Sequence, residues 1–226
     1  MVFVQKSSRY EMPPDAIVLT PREAAKYQFE NFERLNKSVT WPVLYGRKVI
    51  AISVLVQSSY LLMRFRTRYR LGNYGLLSTS LPFCAAPTLM SAAFQESFIT
   101  EKVILQNECS VCLHTNSVLA LAFFTHIVGG AGGAMATLYY AHNKGTYTLP
   151  PRSGSGLLKF GKDVFNLNRR FSNYHWIFLA FNILLSGTVI ALQERATRQV
   201  TEILEQEDYD RVKESYLRSK QRRYNV

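Results

Sequence analysis

Two cysteines spaced as CxxC form the short motif with the greatest chemical potential in this chain of 226 residues. Cys109 and Cys112 could close a small disulfide, exchange electrons with a partner's thiols, or supply two thiolates to a metal ion. A structural zinc site needs about four ligands, yet only His114 lies nearby and no second CxxC follows. A thioredoxin-like role expects a soluble strand-to-helix setting. We favour a structural pair, reduced or disulfide-bonded, while a redox-sensitive pair and a metal site stay open.

A run of small residues over 129–136 contains several pairs with the small-xxx-small spacing. This spacing allows helix backbones to approach closely in lipid, where dispersion replaces the hydrophobic drive. A phosphate-binding loop is the competing interpretation, but it requires a following Lys-Ser or Lys-Thr, which the run lacks. The sequence therefore predicts helix packing, within this chain or against another, by four glycines: Gly129, Gly130, Gly132 and Gly133.

His126 lies one turn before the glycine run, and a polar ring in hydrocarbon should face protein or water. We expect it to lack an ionisable partner inside the membrane, which favours a hydrogen-bonded packing role over a metal ligand or proton relay. Gln57, Asn116 and Asn182 are predicted to form hydrogen bonds between helices. The sequence lacks GxSxG, HExxH, Walker and dinucleotide-binding motifs, so we expect no catalytic residues, no cofactor and no metal site.

The elements that must position these residues follow from the distribution of charge. The chain has 27 Lys and Arg against 16 Asp and Glu, a net charge of +11, with a mean hydropathy of −0.06. All charged residues are absent from four stretches, 49–63, 71–95, 109–143 and 171–193. Apolar runs of about 20 residues match the hydrocarbon core of a bilayer. We predict an all-α polytopic membrane protein with four transmembrane helices at about 42–63, 71–95, 117–141 and 174–192.

Charged extensions flank this membrane domain, which we place at 42–193. Residues 1–41 form an N-terminal extension with a predicted amphipathic helix over 21–36, because a Thr-Pro start precedes apolar residues at helical spacing. Its acidic residues argue against a classical cleavable mitochondrial presequence. Residues 194–226 are predicted to be a charged helical tail. Pro82 and Pro87 remove backbone donors from the second helix and should kink it.

Four arginines within seven residues follow the first predicted membrane helix: Arg64, Arg66, Arg68 and Arg70. Beside a membrane span they are predicted to contact anionic phospholipid headgroups, such as cardiolipin, rather than nucleic acid. The third connection, 144–170, is also basic, whereas the second connection is acidic. The positive-inside pattern therefore favours placing the first and third connections on one side, the matrix in a mitochondrion. The termini and the CxxC would then face the intermembrane space.

The order of these features resembles a known family. An apolar helix ends in basic residues (SVLVQSSYLLMRFRTR), and a second helix reaches Leu81-Pro82-Phe83. An acidic loop then ends in Glu108-Cys109-Ser110-Val111-Cys112, before a glycine-bearing third helix. Over about residues 43–199 the chain resembles the mitochondrial inner-membrane transmembrane protein 126 family.

This resemblance implies a noncatalytic scaffold that assembles the membrane arm of respiratory complex I, the NADH:ubiquinone oxidoreductase. Its partners would be newly inserted membrane-arm subunits and other assembly factors, contacted through the four glycines. Three alternatives stay open. They are an accessory structural subunit of complex I, a four-helix translocase or transporter-like protein, and a membrane thiol oxidoreductase that uses Cys109 and Cys112.

Overall fold

A computed structural model describes residues 20–106, 108–151 and 153–224. Helices joined by short connections make up this part of the chain, which contains no strand. The prediction of an all-α protein is therefore confirmed. Four of the helices are long and apolar enough to cross a membrane, the last of them over Ser172–Glu207. The helices are α1 Pro21–Arg34, α2 Lys37–Arg68, α3 Leu76–Leu105, α4 Ser110–Asn143, α5 Gly154–Arg170 and α6 Ser172–Tyr224.

The amphipathic helix predicted in the N-terminal extension is α1. A capping box starts it: the Thr20 hydroxyl accepts the backbone N–H of Glu23, and the Glu23 carboxylate accepts the backbone N–H of Thr20 at 2.8 Å. Pro21 occupies the first turn, where its missing N–H costs nothing. Phe32 is fully buried in a cluster with Val43 of α2 and residues of α6. Ile104, near the end of α3, belongs to the same cluster, so helix α1 packs against the ends of three membrane helices.

Helix α2 lies at the centre of the bundle and is contacted by α3, α4 and α6. Its buried side chains point in several directions, because neighbours surround it. Ile50 and Val54 pack with Leu121 of α4 and Val189 of α6. Further along, Leu61 joins a second cluster that α5 also enters. Burial on several sides explains why α2 shows little segregation of polar and apolar faces along its length.

Wider π-helical turns interrupt two of the membrane helices. They cover Leu81–Ala85 and Gln95–Thr100 in α3, and Phe123–Gly132 in α4. The first begins one residue before Pro82, whose ring removes a backbone donor. A π-helical turn is a known way to absorb such a defect without ending the helix. The turn in α4 contains His126 and the first part of the glycine run.

Three of the predicted membrane spans fall within longer helices, the second was predicted to begin five residues too early, and two predicted loops are partly helical. The second helix begins at Leu76 and continues to Leu105, so most of the acidic connection after residue 95 belongs to α3. The basic connection 144–170 contains α5. The prediction was wrong here because the absence of charge marks the hydrocarbon region, whereas backbone hydrogen bonds continue into water.

Candidate functional site

The glycine run of α4 packs against helices of this same chain. A Cβ atom at Gly129 would lie 2.5 Å from the Ser58 hydroxyl of α2, and one at Gly132 would lie 2.7 Å from the Phe83 ring of α3. At Gly133 the nearest atom, from Leu62, is 3.5 Å away. Close helix packing is therefore observed, and its partner helices are internal. Gly129, Gly130 and Gly133 are buried within the chain and Gly132 is partly buried, so the run packs mainly against internal helices and the expectation that it contacts a complex I subunit needs correction.

Polar side chains join the helices in the middle of the bundle. The Gln57 amide of α2 donates to Asn182 of α6 at 2.8 Å and accepts from its amide at 3.2 Å. Both residues are buried, so this pair satisfies polar groups that would otherwise be costly in hydrocarbon. Asn116 instead lies exposed on α4. The predicted interhelical role holds for Gln57 and Asn182 and not for Asn116.

His126 has an ionisable neighbour, contrary to the expectation above. Its Nδ1 lies 2.8 Å from Nδ1 of His175, near the start of α6. At this distance one Nδ1 is protonated, and its N–H donates a hydrogen bond to the other Nδ1. The two Nε2 atoms are buried without a hydrogen-bond partner in the described part of the chain. His175 lies inside the predicted fourth span, but a single sequence does not reveal which residues of α4 and α6 lie side by side, so the pairing with His126 was not predicted.

The CxxC forms the N-terminal end of α4. Both thiols are free and exposed, and their Sγ atoms lie 3.2 Å apart. Cys109 caps the helix, since its sulfur accepts the backbone N–H of Cys112 at 3.4 Å. That backbone N–H lowers the pKa of the Cys109 thiol below its ordinary value. The two sulfur atoms are thus close to each other, and Cys109 is the thiol of the pair whose pKa is lowered.

The structure does not support the metal alternative for this pair. His114 points to α6, where its Nε2 lies 3.1 Å from the carbonyl oxygen of Ile183. Among the residues that the structure describes, no group of three or more His, Cys, Asp or Glu could hold a metal ion. Lys102 and Glu108, which both precede the motif, form an ion pair with each other.

The four clustered arginines have different surroundings. Arg64 is exposed, and its guanidinium donates a hydrogen bond to the Tyr60 hydroxyl oxygen at 2.7 Å and lies 5.5 Å from the ring centre of Tyr174. Arg68 and Arg70 are also exposed. Arg66 is only 2% exposed, so the predicted headgroup contact needs correction for this residue.

Arg66 instead holds the connection between α2 and α3. Its guanidinium donates to the carbonyl oxygen of Gly72 at 2.7 Å, to that of Tyr74 at 2.9 Å and to the Thr79 hydroxyl at 2.9 Å. A buried charge is tolerated where several hydrogen bonds satisfy it. Arg66 was predicted to be a surface cation because it alternates with three other arginines. That spacing does not indicate that the following connection folds back over Arg66.

The described fold and its polar groups define a class of protein: an all-α membrane protein of four spans, whose buried polar side chains mainly join its own helices. No family model matches the chain, and no solved structure matches it. Transmembrane protein 126 of Drosophila melanogaster is 28% identical over 199 residues, which cover 84% of this chain and 82% of that relative. Over this length the chain is similar to the transmembrane protein 126 family, in agreement with the resemblance seen in its sequence.

Proposed function

We propose that this protein is a noncatalytic assembly factor of the mitochondrial inner membrane, which holds newly inserted subunits of the membrane arm of complex I. The resemblance to the family supports a role in complex I assembly, and the membrane domain offers surfaces to which other membrane subunits would bind. The proposed partners are membrane-arm subunits, other assembly factors and anionic phospholipid such as cardiolipin.

The observation that carries a scaffold role is the large apolar surface left outside the bundle. In the most apolar segment of α3, only 22% of the residues are buried inside the chain, and the share is the same in α6. On α3, Leu81 is 69% exposed and Leu89 is 70% exposed, while Leu184 of α6 is 71% exposed. In a membrane such faces meet lipid or the helices of other subunits. Since most of the glycine run is buried within the chain, we propose that the partner surface lies on α3 and α6.

Complexome profiling of mitochondria tests this function. In cells that lack the protein and regain the full chain, we expect it to migrate with partly assembled membrane-arm intermediates. Loss of the chain should deplete those intermediates before finished complex I declines. Migration only with finished complex I would instead identify an accessory structural subunit, and no association with either would overturn both roles.

Variants of the outer faces sharpen that experiment. Leu81→Ala with Leu89→Ala alters α3, and Leu184→Ala alters α6, without touching the buried core. We expect at least one of these chains to remain folded and abundant yet to lose part of its comigration with assembly intermediates. Comigration unchanged in both chains would show that the partner surface lies elsewhere.

One observation favours a transporter-like role as a second candidate. The His126 and His175 rings touch inside the bundle, with 2.8 Å between their Nδ1 atoms, and paired histidines in a membrane are a recurrent part of proton relays. Proton flux into vesicles that contain the purified chain would test it. A path through this pair predicts that His126→Leu and His175→Leu each abolish the flux, whereas flux retained in either variant excludes it.

A further inference from the structure

An open cavity of about 590 Å³ lies where α2 ends and where α5 meets α6. Its volume falls within the range of small-ligand sites. Three arginines reach it from separate parts of the chain: Arg68 and Arg70 from the end of α2, and Arg170 from the end of α5. The other lining residues are Tyr69, Thr146, Tyr147, Asp163, Asn166 and Leu167.

The cavity is electrostatically positive. Among the described residues that line it, Asp163 is the only carboxylate, and the Tyr147 hydroxyl donates to that carboxylate at 2.6 Å. Burial raises the pKa of the Tyr147 hydroxyl most, and the hydrogen bond to Asp163 raises it further, so the hydroxyl stays protonated. Two ion pairs form within the described part of the chain, Arg47–Glu96 and Lys102–Glu108. Neither of them involves an arginine of the cavity. Three guanidinium groups therefore face one carboxylate that is already hydrogen-bonded.

The depth of the cavity matches the phosphate layer of a membrane. The uncharged stretch of α2 ends at Arg64, whose guanidinium contacts the Tyr174 ring of α6. Four residues further along a helix, Arg68 lies about 6 Å beyond Arg64. The headgroup region adds roughly 5–8 Å to each side of the hydrocarbon core. The arginines of the cavity are thus at the level where lipid phosphates lie.

We propose that this cavity binds a phosphate group, supplied by the headgroup of an anionic phospholipid. Arg68 and Arg170 form the two sides of the site, since guanidinium groups match phosphate oxygens with paired hydrogen bonds. Arg70 adds positive charge. The lipid as source rests on the proposed lipid contact and not on a role in complex I assembly.

Native mass spectrometry of the full chain, purified in mild detergent from mixed phospholipids, tests the site. We expect one anionic phospholipid to remain bound to each chain, in preference to phosphatidylcholine. Arg68→Gln and Arg170→Gln should each weaken its retention about fivefold, which corresponds to the loss of one guanidinium near a lipid surface. Arg169→Gln is the matched control, because Arg169 is exposed on the same last turn of α5 and does not line the cavity.

Helical circular dichroism verifies that each variant is folded, and inorganic phosphate serves as a second ligand. Equal loss of lipid in the Arg169→Gln chain would overturn the site in favour of general surface charge. Phosphate binding that depends on Arg68 and Arg170, without lipid retention, would confirm the phosphate site and overturn the lipid as its source. Binding of neither ligand overturns the proposal. Since all of this is measured on purified protein, it is independent of the complexome result.

Discussion

At the scale of single residues, Arg66 is the clearest case of a charge that serves the fold. Its hydrogen bonds to Gly72, Tyr74 and Thr79 fix the short connection that turns the chain from α2 into α3. Replacing it with Ala would leave carbonyl oxygens unpaired in a buried place.

We predict that Arg66→Ala destabilises the protein by about 3 kcal/mol, since hydrogen bonds to a charged group contribute about 1.5–3 kcal/mol each and water compensates part of the loss. Thermal unfolding in detergent measures it. Arg68→Ala, two residues away and exposed, should change the unfolding midpoint little. Equal effects of the two substitutions would contradict the role given to Arg66.

A second prediction at this scale concerns the pH dependence of Cys109 alkylation. In a chain with Cys84→Ala and Cys112→Ser, the backbone N–H at position 112 remains and still stabilises the Cys109 thiolate. Because the pKa of Cys109 is lowered, thiolate persists to lower pH, and the alkylation rate should rise with a midpoint below about 8.5, the ordinary value for a thiol. The same chain in denaturant is the control, and a midpoint that denaturation leaves unchanged would rule out the effect of the helix.

At the scale of the element, the glycines of α4 differ in how closely they are approached. Gly129→Ala would bring a Cβ within 2.5 Å of the Ser58 hydroxyl, whereas Gly133→Ala meets Leu62 at an ordinary 3.5 Å. We predict that Gly129→Ala costs about 1–3 kcal/mol through overpacking. Gly133→Ala should be neutral or stabilising by about 0.5 kcal/mol, because Ala favours the helix.

Unfolding of the two variants in detergent, followed by circular dichroism, gives the comparison. A larger loss of stability in the Gly133→Ala chain than in the Gly129→Ala chain would contradict the packing described here. The pair is informative because both substitutions add the same methyl group to the same helix, one turn apart.

The elements also show what a single sequence can and cannot predict. The four spans were predictable because charge is expelled from hydrocarbon, and the capped α1 was predictable from Thr20 and Pro21. Helix α5 was missed, although its apolar and basic residues alternate at helical spacing, because its charges assigned 144–170 to a connection between two membrane spans. The pairs Gln57–Asn182 and His126–His175 join residues 125 and 49 positions apart, and such registers depend on packing that local patterns do not encode.

At the scale of the whole molecule, the two basic connections lie on one side of the bundle. The Lys144 ammonium, just after α4, donates to the carbonyl oxygen of Arg70 at 2.6 Å, just after α2. The CxxC begins α4 and therefore lies at its opposite end. Arg47 of α2 and Glu96 of α3 form an ion pair. Arg47 precedes the uncharged stretch of α2 and Glu96 follows that of α3, so both lie at the same end of the bundle as the CxxC.

This arrangement gives a prediction for the orientation. For the proposed location in the mitochondrial inner membrane, the positive-inside pattern predicts that the connections around Arg70 and Lys144 lie in the matrix, so Cys109 should face the intermembrane space. In mitochondria with a ruptured outer membrane, a membrane-impermeant maleimide should label Cys109 in a chain with Cys84→Ala and Cys112→Ser. A cysteine introduced by Thr148→Cys, in the exposed connection after α4, is the matched probe and should react only after the inner membrane is dissolved. The reverse pattern of labelling would invert the orientation while leaving the four-span fold intact.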